Sequence, residues 1–278
     1  MRSQLLGEAV LLAFDDRLVH GLALRRGAIA TPPWQSMLPA QALAHGMPEL
    51  VDVLGDFLGD LLLSQGLIGH AMRVALPPEA AHWRVISWPF DDWPDDPIEA
   101  LRTIDPDLRL PFALADAAID LQPLPGQPLR SLLVAAPQAL VEAWTNVFEI
   151  AGTPLQRLLP AQVCVRQALL PRFAAADPRD GVLLLQPTGA ACSASLWRQG
   201  VPLYQRLFEA DDPQLAAKLG QIVAYYGSCD AAFSLRRLWL TAELPQQHEL
   251  EASLGLTLEP LDCAPYDSLV MQGLAQVP

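Results

Sequence analysis

At 278 residues, 51% of them hydrophobic and 18% charged, the chain is long enough to bury a large core and too apolar to be disordered, so one large bilobal domain or two smaller ones is expected. Acidic residues outnumber basic ones 31 to 18, a formal net charge of -13, and every basic residue is an arginine except Lys218. A surface of that sign repels phosphate backbones and anionic lipid headgroups, which disfavours nucleic acid and direct membrane-surface binding and favours a basic partner.

Ala9 to Phe14 and Val19 to Leu24 are short apolar runs separated by Asp15-Asp16-Arg17, the pattern of a hairpin, and a third extended piece is expected after Gly27. The first run follows Glu8 and ends at Asp15-Asp16, too early for a signal segment. From Pro48 onward, Leu50, Val51, Leu54, Leu58, Leu61 and Leu62 recur at helical period, with Pro48 placed in the first turn. This most apolar helix carries Asp52, Asp56 and Asp60, so no segment reads as spanning a membrane and a cytoplasmic chain is expected. Gly55 and Gly59 share one side of it, where close packing of the helix on a sheet explains them better than a docking groove does.

Between Trp83 and Pro160 the pattern is strand, helix, strand, strand, helix, strand. Trp83 to Trp88 alternates, and Asp91-Asp92-Trp93-Pro94-Asp95-Asp96 interrupts it. Four carboxylates around a tryptophan invite a metal-site reading, but Asp96-Pro97 followed by Glu99 is better explained as an N-cap, a first-turn proline and a third-position glutamate. Ala118 to Leu121 and Leu129 to Ala136 read as strands split by a turn at Pro123-Leu124-Pro125-Gly126, with Asp116 and Asp120 as strand-edge solvation. Pro137 opens a helix with Leu140, Val141, Trp144, Val147, Phe148 and Ala151 on one face, closed by Gly152.

Enzyme signatures are missing: there is no phosphate-binding loop of the G-x-x-x-x-G-K-[ST] type, no G-x-G-x-x-G, no G-x-S-x-G and no H-E-x-x-H. The five histidines are scattered, and Cys164, Cys192, Cys229 and Cys263 lie far apart without metal-ligand spacing, so buried or idle thiols in a reducing compartment are expected.

Leu132-Leu133-Val134-Ala135-Ala136-Pro137 before a helix, then Ile150-Ala151-Gly152-Thr153-Pro154 and a helix from Gln162 to Leu169, form an ordered series. Upstream stand Trp88-Pro89 and Leu110-Pro111-Phe112, and downstream Gly200-Val201-Pro202-Leu203-Tyr204-Gln205-Arg206. From Ala9 to about Asp262 this series resembles the type IV pilus assembly PilM family of actin-like proteins. The resemblance implies an α/β fold of the reduced actin-like (ASKHA, ribonuclease H-like) bilobal kind. Lobe one would comprise residues 1–82 and 161–176, with an inserted α+β subdomain at 83–160; lobe two would cover 181–262, with most of its lid subdomain missing, and 263–278 would be a C-terminal tail.

The departures from that family concern nucleotide. The resemblance puts Ala13 where the family has an aspartate and Asp15-Asp16 where it has Gly-Ser. It puts Leu185-Gln186-Pro187-Thr188 where Asp-Ile-Gly is expected, and Thr241-Ala242-Glu243 within a former Thr-Gly-Gly-Gly turn. Ala13, Asp15, Asp16, Gln186, Thr188, Ala242 and Glu243 thus mark a degenerate nucleotide site that has lost glycine N–H donors and gained carboxylates. About 28 residues between Phe208 and Leu238 leave room for one helix, Pro213 to Tyr225, rather than a lid. No catalytic residue, metal or cofactor is expected, and the expectation is a pseudo-ATPase.

By resemblance, the function is a non-catalytic scaffold of the pilus inner-membrane platform, clamping the cytoplasmic amino-terminal peptide of a PilN-like membrane protein beside other platform proteins. Its place would be peripheral to the inner membrane, without direct insertion. Trp83, Trp88 and Trp93, with Asp91, Asp92, Asp95 and Asp96 as an acidic rim, are the partner-binding candidates, although core packing explains at least one of the tryptophans better. The alternatives are a GspL-like cytoplasmic component of a type II secretion platform and an actin-like ATPase with divergent loops.

Overall fold

The computed structural model describes residues 8–105, 108, 110–124, 129–177, 179–188, 191–230 and 233–277. The chain divides into two compact units, Met1–Ala168 with Leu269–Pro278, and Leu169–Ser268.

The first unit opens with β1 (Glu8–Phe14) and β2 (Leu18–Arg25), an antiparallel hairpin in the expected register, Phe14 opposite Val19. The short β3 (Ala28–Ile29) and β4 (Trp34–Met37) then pair with β2. Gly21 makes this possible, since a Cβ there would lie 2.0 Å from the Trp34 indole. β5 (Leu43–Ala44) and β6 (Met47–Pro48) form a minimal ladder before α1 (Val51–Ser64). Pro48 is therefore a strand residue opposite Leu43 and not part of the first helical turn; Asp52 is the acidic residue there.

β7 (Ala71–Leu76) runs parallel to β1. A small sheet follows: β8 (His82–Ser87), α2 (Pro97–Ile104), β9 (Ala117–Leu124) and β10 (Arg130–Pro137), in the order β8-β10-β9. α2 starts as its sequence dictates, with the Asp96 carboxylate accepting from the Glu99 N–H at 3.0 Å and Pro97 in the first turn. Pro123 and Leu124 close β9 instead of opening the turn, and the rest of that turn, 125–128, lies outside the described residues.

α3 (Gln138–Ile150) leaves β10 through Pro137 and ends at Gly152, whose φ of +69° is the left-handed cap that glycine tolerates. β11 (Leu155–Pro160) then pairs parallel with β7, completing a six-stranded sheet ordered β11-β7-β1-β2-β3, with β4 also on β2. α4 (Ala161–Ala174) follows, its last residues belonging to the second unit. Gly55 and Gly59 do serve close packing, but against a helix rather than a sheet: a Cβ on Gly55 would come 2.6 Å from Ile150, and one on Gly59 would come 3.4 Å from the Ala151 backbone. α3 thus packs on α1, and α3 and β11, within the interval assigned to the insertion, build onto the larger sheet and its core.

In the second unit, β12 (Asp180–Thr188), β13 (Ala191–Arg198) and β14 (Val201–Glu209) form an antiparallel meander. α5 (Leu215–Cys229) then leads to β15 (Ser234–Leu240), parallel to β12, and α6 (Gln247–Leu254) leads to β16 (Leu258–Pro260), parallel to β15. The order β14-β13-β12-β15-β16 repeats the winding β3-β2-β1-β7-β11 of the first unit. Val182 to Leu185 lie directly beside Arg237 to Leu240 in one sheet, as an actin-like second lobe requires. Among the described residues, α5 is the only regular element between β14 and β15, so a separate lid has no place there.

The chain ends with α7 (Leu269–Gln276), which returns to the first unit and packs on β1 and β7. Residues 263–278, expected as a tail, thus include a core helix. The approach is very close: a Cβ on Gly273 would lie 1.7 Å from the Cys164 carbonyl oxygen. Gly273→Ala is expected to destabilise the protein by about 1–3 kcal/mol through overpacking, read as a lowered urea midpoint. A midpoint equal to the parent's would show that α7 is dispensable to the core.

Candidate functional site

Two regions carry the sequence-predicted residues: the loops where actin-like proteins hold nucleotide, and the surroundings of the small sheet. At the β1–β2 turn, one Asp15 carboxylate oxygen accepts from the backbone N–H groups of Arg17 at 2.8 Å and Leu18 at 2.7 Å. Burial pushes the Asp15 carboxyl up, but the nearby His20 imidazole and those two N–H groups outweigh it and leave its pKa below the ordinary value. Asp16 accepts from the Gly46 N–H at 3.3 Å, and Ala13 stands opposite His20 without a carboxylate to offer. The N–H groups that a phosphate-gripping turn would aim at its ligand are occupied here by the chain's own side chain.

In the second unit, Gln186, Pro187 and Thr188 continue β12, paired with Ser193, Cys192 and Ala191, so ordinary strand runs through the positions that the resemblance sets against Asp-Ile-Gly. Residues 189–190, at the turn itself, lie outside the described residues. After β15, the Thr241 N–H donates to the Leu185 carbonyl at 3.2 Å and Leu244 is buried, anchoring a turn that leaves Ala242 and Glu243 exposed. Among the described residues, no group of His, Cys, Asp or Glu side chains is arranged to hold a metal ion.

The tryptophans separate. Trp88 is buried, its Nε1–H donating to Ser131 Oγ at 2.9 Å. It is part of the small sheet's own core, with Ile86, Leu101, Leu133 and Ala135, the core role weighed for it against partner binding. Trp93 packs edge-on against it, ring centroids 5.6 Å apart. Asp92 directly precedes Trp93, and Asp96 is engaged as the α2 cap. Trp83, half-buried and opposite Val134, falls on the other face by strand alternation.

That other face floors a cavity of about 190 Å³ that sequence reasoning did not single out. Ala118, Asp120 and Gln122 of β9 and Leu132, Val134 and Ala136 of β10 form the floor; Leu158 to Pro160 of β11, with Val141 and Val163, form the opposing wall. Both β9 and β11 are the terminal strands of their sheets, so the groove runs between two sheet edges. Its lining is apolar except at Asp120 and Gln122, and the Gln122 amide oxygen accepts from the buried Arg166 guanidinium at 3.3 Å. Burial holds the Arg166 pKa below its usual value. The signal available in the sequence was the Ala118-x-Asp120-x-Gln122 alternation, one strand face ending in polar groups.

No protein-family profile matches the chain, and no curated protein does. Among solved structures, the chain is similar to one from a PilM–PilN type IV pilus biogenesis complex, with a TM-score of 0.75 and 18% identity over 96% of this chain and 97% of that one. A Bacteroides thetaiotaomicron protein of actin-like ATPase fold and unknown function matches with a TM-score of 0.57 and 8% identity over 98% and 96%. The cytoplasmic domain of EpsL, an inner-membrane component of the Vibrio cholerae type II secretion system, matches with 0.54 and 12% over 97% and 94%. The fold is therefore actin-like and of the PilM kind.

Proposed function

We propose that this chain is a non-catalytic, PilM-like scaffold of a type IV pilus assembly platform, and that the groove between β9 and β11 holds the amino-terminal peptide of a PilN-like membrane protein. The observation that carries this reading is the near-complete structural match at a TM-score of 0.75, joined to a groove of the right form. An extended peptide laid along the terminal strand β9 gains main-chain hydrogen bonds, while the apolar floor fixes its register. Juxtamembrane residues beside such a peptide are commonly basic, and a chain of net charge -13 with Asp120 in the groove attracts them. No described helix is long and apolar enough to cross a membrane, so attachment to the inner membrane would come through the partner.

A GspL-like role in a secretion platform is the second reading, favoured by the EpsL match at 0.54 and ranked lower by that figure. The two separate in a calorimetric titration of the chain with a PilN-type amino-terminal peptide: saturable one-to-one binding supports the pilus reading, and no heat at all removes it.

Nucleotide has no part in this mechanism. Asp15 satisfies the hairpin N–H groups, and each carboxylate charge brought within about 4 Å of a phosphate costs on the order of 1–4 kcal/mol depending on screening. Titration with Mg-ATP is expected to give no saturable binding, and a micromolar dissociation constant would overturn the pseudo-ATPase assignment and revive the divergent ATPase.

A further inference from the structure

Within the second unit, β14 and α5 face each other across a cavity of about 410 Å³ that no part of the scaffold reading uses. β14 lines it at alternate positions with Tyr204, Arg206 and Phe208, and α5 with Lys218, Ile222 and Tyr225, residues one helix face brings together. The lining is mainly aromatic, with Ile222 beside it and Arg206, Lys218 and Gln221 as its polar side chains, and the size is that of a small-molecule site, for which about 300–1,000 Å³ is usual.

The parts are fixed in place. Tyr226 donates its hydroxyl to the Leu203 carbonyl at 2.7 Å, and its ring meets Tyr204 and Tyr225 edge-on at 6.3 and 5.3 Å between centroids. The Lys218 ammonium is 2.6 Å from the Asp212 carboxylate, so its charge is balanced. The Arg206 guanidinium lies over the Phe208 ring, 5.4 Å from its centroid, and pairs with no carboxylate among the described residues. In a protein with thirteen excess acids, the cavity thus presents one uncompensated, planar, five-donor cation on an aromatic bed.

We propose that this cavity binds a small planar organic anion, an aromatic ring carrying a carboxylate or phosphate ester. The anionic head takes paired hydrogen bonds from Arg206, and the ring lies against Tyr204 and Tyr225. All the lining residues fall within 204–226, so the site shares no residue with the peptide groove and survives or fails without it.

The test is ligand-observed NMR titration of the full chain with phenyl phosphate, benzoate and uncharged benzyl alcohol. Saturable binding of an anion, with benzyl alcohol roughly tenfold weaker or more, is expected. Arg206→Gln should abolish the preference for the anion, and Tyr225→Ala should weaken all three probes. Stronger binding of phenyl phosphate than benzoate assigns a phosphate ester, and the reverse a carboxylate. Equal binding of benzyl alcohol, no binding of either anion, or anion binding that survives Arg206→Gln in a protein of unchanged melting temperature would each overturn the proposal.

Discussion

Trp144→Ala is expected to lower the unfolding free energy by about 3–5 kcal/mol, a large fraction of what holds a domain folded. Trp144 is fully buried in the core of the first unit, its ring 4.6 Å from Phe14 of β1 and 6.1 Å from Phe148 one turn on along α3. Its Nε1–H also donates to the Gly46 carbonyl at 2.9 Å, tying α3 to the β5–β6 ladder. Truncation therefore opens a cavity and strands a buried acceptor together. Trp144→Phe keeps most of the packing and loses the hydrogen bond, so it should cost about 1–3 kcal/mol. Urea denaturation of both variants measures the split, and an alanine variant within about 1 kcal/mol of the parent would show that this core repacks freely.

What the sequence disclosed follows the range of the interactions involved. The β1–β2 hairpin was legible because Asp15-Asp16-Arg17 caps its own turn, and the α2 start because Asp96 and Glu99 meet within one turn. Pro48 misled because a proline ahead of an apolar helix suits the first turn equally well; only its pairing with Leu43 makes it a strand residue. Whether Trp88 packs in the core or anchors a partner could not be told locally, because its own partner, Ser131, lies 43 positions away. The last helix was hidden for the same reason, since its docking depends on Gly273 passing the Cys164 backbone. The groove was the least legible feature: its walls come from β9, β10, α3, β11 and α4, and no one segment displays it.

Ala118→Trp is expected to weaken capture of a PilN-type amino-terminal peptide by about 100-fold or more, about 2.7 kcal/mol. Ala118 is half-buried on β9 opposite Ala136, with its side chain on the floor of a cavity of about 190 Å³, so an indole there occupies the space the peptide needs. β9 is the terminal strand of its sheet, which lets the larger side chain be accommodated without repacking the core; an unchanged melting temperature checks this. Asp120→Lys on the same strand should act more weakly, by a few-fold, because an exposed ion pair contributes only about 0.2–1 kcal/mol. Changing Asp91, Asp92, Asp95 and Asp96, none of which lines the groove, to Asn should slow association and flatten its salt dependence while leaving the dissociation rate alone, since charges outside the groove act only through the long-range field. If the Ala118→Trp chain binds the peptide as tightly as the parent, the groove is not the site. If the four-Asn chain then loses the peptide, the acidic loop and its tryptophan are.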